Sequence, residues 1–232
     1  MGDDLRQAWE DHADAWAAWA RTPDHDDSWP FNWPAFTELL PPPGRATLDA
    51  GCGEGRGGRW LAEQGHRVIG VDGSATLAAL AREAGGYEDV VAADAAALPF
   101  ADESFDLVVA FMLLQDVDDL DGAIAEAARV IEPGGRFCLA ILHPMRSAAL
   151  GADGVRYFEN RRYRFDVRRD GLHMPFHSRH RPLQAYTTAL RAAGFVIDDL
   201  REPAPSTAQL RQVPRREIAT QQPFFLHLLA HR

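Results

Sequence analysis

Residues 46–72, ATLDAGCGEGRGGRWLAEQGHRVIGVD, set two carboxylates, Asp49 and Asp72, on either side of a glycine-rich loop. Gly51, Gly53 and Gly55 let the backbone turn sharply and let a ligand approach it with no Cβ in between. A carboxylate at a strand tip can accept both hydroxyls of a ribose. Gly53, Gly55 and Gly58 also satisfy the G-x-G-x-x-G pattern of dinucleotide binders, which would make the chain an NAD(P)-dependent oxidoreductase. A lone match of that kind is a weak signal, and Asp49 opposes it. A carboxylate directly before the loop repels a pyrophosphate. It suits a ligand with a ribose, no phosphate and a positive charge.

Asp94, Asp116 and His143 follow the third, fourth and fifth apolar segments and would gather at the same edge. Asp116 and His143 are the candidate proton acceptors near a nucleophile. His143 could equally bond loop backbone. Cys52 has no base beside it, so a small buried filler is its expected role. His173, His177 and His180 read poorly as a metal site. Four residues of extended chain span about 13 Å, whereas zinc ligands lie ~2 Å from one ion. Asp153, Asp166 and Asp170 add no ligand spacing.

These side chains need a scaffold. Residues 46–50 read as a buried strand and 56–64 as a helix with Trp60 and Leu61 inward, stopped by Gly65. Residues 68–71 form a second strand with Asp72 at its tip. Strand, helix and parallel strand make a βαβ unit, whose ligands bind at the carboxyl ends of the strands. Ser74 caps a second helix that Gly85 and Gly86 stop. Strands follow at 90–93 and 105–110, a helix at 120–131, a turn at Pro133-Gly134-Gly135 and a strand at 136–142. A helix at 182–193 leads to two last strands, 195–200 and 224–230, joined by a polar, proline-punctuated link.

Upstream, residues 5–20 place Trp9, Ala13, Trp16 and Ala20 at helical spacing. Residues 21–36, with Trp29, Phe31, Trp33 and Phe36, read as an irregular segment that could serve as a lid. Residues 145–181 break the alternation and hold nine arginines against four acids. Asp170-Gly171 between two alternating runs signals a β-hairpin. Tyr163, Phe165, Val167, Leu172, Met174 and Phe176 would share its apolar face, laid over the sheet's carboxyl edge as a substrate cover.

LDAGCGEG, then GVD, then AADAAALPFADESFDLVVA resemble, in order and spacing, motifs one to three of the class I S-adenosylmethionine-dependent methyltransferases. The type is the small-molecule one that includes the methyltransferases of ubiquinone and menaquinone biosynthesis. The resemblance covers residues 47–142. It implies an α/β, Rossmann-like, doubly wound seven-stranded sheet in the order 3-2-1-4-5-7-6, the last added strand antiparallel. It implies S-adenosyl-L-methionine as cofactor and in-line methyl transfer to an oxygen, nitrogen or carbon of a small-molecule acceptor. On this resemblance Asp49, with Gly51, Cys52 and Gly53, faces the cofactor's amino group, and Asp72 and Gly73 meet the ribose. Asp94 receives the adenine amino group, the Ala95 amide meets a ring nitrogen, and Phe111 and Met112 border the methionine part. Asp116 stands where many relatives have histidine, which leaves the family's base unassigned here. A non-catalytic adenosylmethionine-binding module is the remaining alternative.

The length of 232 residues suits one α/β domain with an elaboration. Residues 1–45 would form the lid, 46–144 and 182–232 the core, and 145–181 the cover. A net charge of −10 argues against a broadly basic nucleic-acid binder. Two cysteines give no disulfide framework and point to a reducing cytoplasm. No apolar run reaches ~18 residues, so neither a membrane span nor a signal peptide is expected. The expected partner is the small-molecule acceptor, with the chain a monomer or homodimer.

Overall fold

The computed structural model describes residues 4–26, 28–150, 154–212 and 219–232. Two helices, α1 (Leu5–Asp11) and α2 (Ala13–Arg21), and a third, α3 (Trp29–Thr37), precede the sheet. The alternating core follows as β1 (Thr47–Ala50), α4 (Arg56–Glu63), β2 (Val68–Asp72), α5 (Ala75–Ala84), β3 (Asp89–Ala92), β4 (Phe105–Phe111), α6 (Leu120–Val130) and β5 (Ile131–Leu142). Next come α7 (Pro144–Ala148), a hairpin of β6 (Arg161–Arg169) and β7 (Leu172–His180), then α8 (Leu183–Ala192), β8 (Val196–Arg201), α9 (Thr207–Gln212) and β9 (Phe225–His231).

The main sheet has seven strands in the order β3-β2-β1-β4-β5-β9-β8. β1 to β5 pair in parallel, and β9 runs antiparallel to both β5 and β8. This is the order expected from the sequence. The central strands are apolar on both sides because helices cover both faces. Leu48, Val108, Leu139 and Ile124 pack on one face, and Leu61, Val68, Val109 and Trp33 on the other.

Four local readings are corrected. The single helix at 5–20 is two helices that meet at His12, where φ is −118° and ψ 14°. The bend brings Trp9 and Trp16 edge to face, 5.7 Å apart. Residues 29–37 are helical despite two prolines. Pro30 lies in the first turn, where a missing N–H costs nothing. Pro34 lies inside and cannot bond the Pro30 carbonyl; the Gln209 side chain donates to it instead, at 3.4 Å. Pro133-Gly134-Gly135 is an irregularity within β5, between the pairs Phe105–Ile131 and Leu107–Arg136. A Cβ on Gly135 would lie 2.6 Å from Ile131 Cγ2, so the tight path needs glycine. The last link contains α9, while 213–218 lie outside the described residues.

The hairpin forms as the sequence indicates. Asp170 and Gly171 take φ of 46° and 82°, the left-handed pair of a type I′ turn. Phe165 faces Phe176 and Val167 faces Met174 across it. Its apolar face meets the N-terminal helices as well as the space over the sheet edge: Phe176 lies 6.1 Å from Trp16 and 6.5 Å from Trp19. Polar ties complete the cover. Asp118 accepts from the Leu5 amide at 2.8 Å and from Arg162 at 2.5 Å. Glu10 accepts from the Thr76 hydroxyl at 2.7 Å and its amide at 3.2 Å, fixing α1 on the start of α5. The Arg169 guanidinium donates to the His25 carbonyl at 3.0 Å. Helices and hairpin thus pack as one unit, where the sequence implied two separate elements.

Candidate active site

β1, β2, β3 and β4 all end at one edge of the sheet. Over that edge lies a cavity of about 730 Å³, the size range of small-molecule sites. Asp49, Asp72, Asp94 and Asp116 line it, together with Trp16 of α2 and Tyr163, Phe165 and Phe176 of the hairpin.

The glycine loop is built by backbone geometry. Gly51, Gly53 and Gly55 have φ of 72°, 56° and 92°. The amides of Gly51 and Cys52 both donate to the Val71 carbonyl, at 2.8 and 3.0 Å. The Asp72 carboxylate then holds the loop: Oδ2 accepts from the Gly53 amide at 2.8 Å and Oδ1 from the Ser74 amide at 2.9 Å. A carboxylate has about four acceptor sites, so each oxygen keeps one for a ligand. Gly73, beside it, also lines the cavity.

Asp49 is 4% exposed and accepts from the Tyr87 hydroxyl at 2.8 Å. The same hydroxyl accepts from the Gly58 amide at 3.2 Å. A Cβ on Gly58 would lie 2.0 Å from Tyr87 Cζ. The third glycine of the dinucleotide-like pattern therefore makes room for Tyr87. Gly58→Ala should push Tyr87 off Asp49 and cost ~1–3 kcal/mol, the usual penalty of an overfilled site. Urea unfolding of the variant checks this; a loss below ~0.5 kcal/mol would mean the ring is free to move.

Burial raises both carboxylates to about 6, further raised at Asp49 by the charge of Asp72 and only partly offset by their hydrogen bonds. Neither makes an ion pair among the described residues. A buried carboxylate, Asp49, beside a partly buried one, Asp72, with no cation invites a cationic ligand. The pH consequence has a definite sign. A group whose folded pKa is raised stabilises the fold fully below its unfolded value, and that contribution is lost as pH rises through about 6. Affinity for a cationic ligand runs the other way, falling as pH drops through about 6 and both groups take up protons. Calorimetric titration of S-adenosylmethionine between pH 5 and 8 checks it; affinity that is flat or rises toward acid contradicts it.

Asp94 is exposed at the rim, where Oδ1 accepts from the Ala96 amide at 2.9 Å, and Ala95 lines the cavity beside it. Phe111 and Met112 also line it. Met112 has φ of 60°, a strained backbone for a non-glycine residue. It is held by Asn32, whose amide donates to Met112 Sδ at 3.4 Å and whose Oδ1 pairs with His227 Nε2 at 2.6 Å. Cys52 is buried and its thiol is pushed well up by burial and by Asp72 and Asp49, as suits a filler.

The two candidate bases part company. Asp116 lines the cavity, and its Oδ1 accepts from Ser178 Oγ at 2.6 Å while Oδ2 accepts from the Gln115 amide at 3.0 Å. Burial raises it to about 7, against those two bonds and Arg181. His143 is not in the cavity wall. Its Nδ1 accepts from the Met145 amide at 3.1 Å, capping α7, and its Nε2 lies 2.9 Å from Glu202. Burial lowers its pKa, with Glu202 opposing. The expectation of His143 beside the acceptor is corrected: both ring nitrogens are engaged by loop and surface.

The three hairpin histidines have separate tasks. His173 pairs with Asp166 at 2.6 Å, His177 stacks on His12 at 5.4 Å, and His180 lies 2.7 Å from Ser147 Oγ. Asp153 lies outside the described residues. Sequence reasoning missed Tyr87, Asn32, Ser178 and Arg56. Arg56 sits over Trp29 at 4.2 Å, with an ion pair to Asp26, and so ties the glycine-loop helix to the lid segment. Only Ser178 carried a signal, since the hairpin alternation places it on the apolar face.

Known proteins resemble this chain in sequence and fold. Residues 48–139 match the family model described as methyltransferase domain. A probable S-adenosylmethionine-dependent methyltransferase of Mycolicibacterium smegmatis is 32% identical over 67% of this chain and 54% of its own length. The demethylmenaquinone methyltransferase of Renibacterium salmoninarum is 37% identical over 44% of each. The chain thus spans about half the length of these curated relatives. A crystal structure of an S-adenosylmethionine-dependent methyltransferase from Mesorhizobium loti superposes with a TM-score of 0.74 and 30% identity, over 87% of this chain and 97% of that one. With that fold in common at 30% identity over nearly the whole of the second chain, and with the family model matched across the glycine loop, the chain belongs to the S-adenosylmethionine-dependent methyltransferases.

Proposed function

We propose that this chain transfers a methyl group from S-adenosylmethionine to a small-molecule acceptor held under the hairpin, with Asp116 as the proton acceptor. The observation that carries the reading is one cavity that joins the strand-tip carboxylates to Asp116 and an aromatic chamber. The residues fit the cofactor. Asp72 offers acceptors to the ribose, Asp94 and the Ala95 amide to the adenine, and the cationless Asp49 to the ammonium. When bound, the cofactor supplies a methyl group activated by a positively charged sulfur. The protein's tasks are then positioning, exclusion of water and proton removal. The tryptophans of α2 and α3 and the hairpin face close the chamber. Asp116, raised to about 7, is a base poised near neutral pH, with Ser178 and Gln115 setting its orientation.

Two alternatives are less well supported. A dinucleotide would bring its pyrophosphate against Asp49 and find Gly58 occupied by Tyr87. A nucleic acid would need a broad basic surface, yet Arg164 is paired with Asp166, and Arg162 and Arg179 with Asp118. The test is incubation with isotopically labelled S-adenosylmethionine and a panel of phenols, amines and carboxylic acids, read by mass spectrometry. One labelled methyl on a panel member supports the reading. Tight cofactor binding with no transfer to any of them favours the non-catalytic module.

A further inference from the structure

The cavity wall beyond Asp116 holds an arginine that the mechanism does not use. Arg146, on α7, lines the cavity with its guanidinium carbon 4.7 Å from the centre of the Phe224 ring. Among the described residues its guanidinium makes no hydrogen bond and no ion pair. The other arginines of the wall are engaged: Arg56 by Asp26, Arg169 by the His25 carbonyl, and Arg6 by Asp4 at 3.9 Å. Burial lowers the pKa of Arg146, and the ionisable neighbour that bears on it is Tyr163. It is a half-buried cation with no carboxylate.

Tyr163 is the second unspent group. It is 6% exposed, it lines the same cavity, and its hydroxyl makes no hydrogen bond of good geometry, with Ser178 close enough to act on it. Ser178, its cross-strand neighbour, donates to Asp116 and leaves its own oxygen as the polar atom beside the Tyr163 hydroxyl, so a ligand carboxylate would compete with Ser178 for that proton. The segment carrying Arg146 is held in place by the hairpin. Ser147 Oγ lies 2.7 Å from His180, and Arg161 donates to the carbonyls of Ala148 and Leu150 at 3.1 and 2.6 Å.

We propose that Arg146 and Tyr163 form a carboxylate subsite in the acceptor pocket, so that the acceptor is a monocarboxylic acid on an aromatic or conjugated body. The inference rests on the methyltransferase reading of the cavity. A planar guanidinium fork matches a carboxylate, and a phenol hydroxyl adds a third donor. Phe165, Phe176 and Phe224 suit a flat apolar body. A phosphate dianion fits less well, because among the described residues one unpaired cation stands in the wall and Asp116 shares the chamber.

The test needs no knowledge of the natural acceptor. 2-Naphthoate and its neutral isostere 2-naphthamide are titrated calorimetrically into the full chain saturated with S-adenosylhomocysteine. Naphthoate is expected to bind about tenfold tighter, the effect of one charge-assisted fork. Arg146→Met, which keeps the packing on Phe224, should erase the preference, and Tyr163→Phe should shrink it about threefold. Affinity for S-adenosylhomocysteine should stay within about twofold in both variants, since neither residue is placed at the cofactor end. Absent naphthoate binding, equal binding of the two probes, or a preference that survives Arg146→Met overturns the subsite. Tighter binding of 2-naphthylmethylamine also overturns it and assigns the chamber to cations through Asp116. If S-adenosylhomocysteine itself fails to bind, the methyltransferase reading falls, and the same pair titrated into the free protein still decides the subsite.

Discussion

Asp72→Ala will weaken S-adenosylmethionine binding by about a hundredfold or more. Hydrogen bonds to a charged group contribute ~1.5–3 kcal/mol, and that alone is a factor of ~10–150. Asp72 does a second job. It accepts the Gly53 and Ser74 amides, so its removal leaves the glycine loop without its anchor. Asp72→Asn separates the two roles, keeping one acceptor oxygen and losing the charge. Burial holds the Asp72 carboxylate up at about 6, so at neutral pH the ligand-free fold carries an unfavourable charge that the Asn substitution removes. The ligand-free Asp72→Asn protein loses that charge but also one of the two amide bonds, so it should melt within a few degrees of wild type, while the rise in melting temperature that S-adenosylmethionine gives wild type should largely vanish. Calorimetry and scanning fluorimetry read both effects. An unchanged dissociation constant in a folded Asp72→Ala protein would remove Asp72 from the site.

Asp116→Asn should lower turnover of the acceptor found in the panel by ~10²–10⁴-fold, the range for loss of a positioned general base. Asparagine keeps the volume and one acceptor for Ser178, so the chamber should stay intact. Affinity for S-adenosylhomocysteine should not change. The pH profile supplies the sharper readout. With Asp116 raised to about 7, wild-type kcat/KM should climb as pH rises through that value, because the base works only when ionised. The Asp116→Asn protein should show a flat profile there. A variant that keeps both rate and profile would move proton removal elsewhere, or show that the acceptor needs none.

The scaffold was readable in the sequence because its signals are local. Each core strand is a short apolar run, the first three closing at an aspartate or on the glycine loop, and Asp170-Gly171 fixes the hairpin turn. The strand-tip carboxylates were readable for the same reason: Asp49, Asp72 and Asp94 close their runs. What escaped was set by tertiary contact. Tyr87 reaches Asp49 from the start of another strand, and nothing near residue 58 announces that its glycine yields to a ring 29 residues away. Trp29 to Thr37 looked irregular because two prolines outweigh helix propensity; the apolar bed for Phe31, Trp33 and Phe36 outweighs the prolines. His143 looked available because sequence shows where a histidine stands along the chain, whereas its partners, the Met145 amide and Glu202, exist only in the fold. The hairpin's arginines read as a possible basic face, and the fold commits most of them to Asp118, Asp166 and backbone carbonyls. Among the described residues Arg146 and the exposed Arg168 are the exceptions, and of the two Arg146 lines the cavity.

The central claim is that one cavity holds the cofactor on the strand-tip carboxylates and leaves the chamber at Asp116 for the acceptor. A crystal structure of the chain with S-adenosylhomocysteine tests it most directly. The ribose hydroxyls are expected on Asp72, the adenine beside Asp94 and Ala95, the homocysteine amino group toward Asp49, and open space between its sulfur and Asp116. A ligand bound elsewhere, or a sulfur walled off from Asp116 by protein, would contradict it.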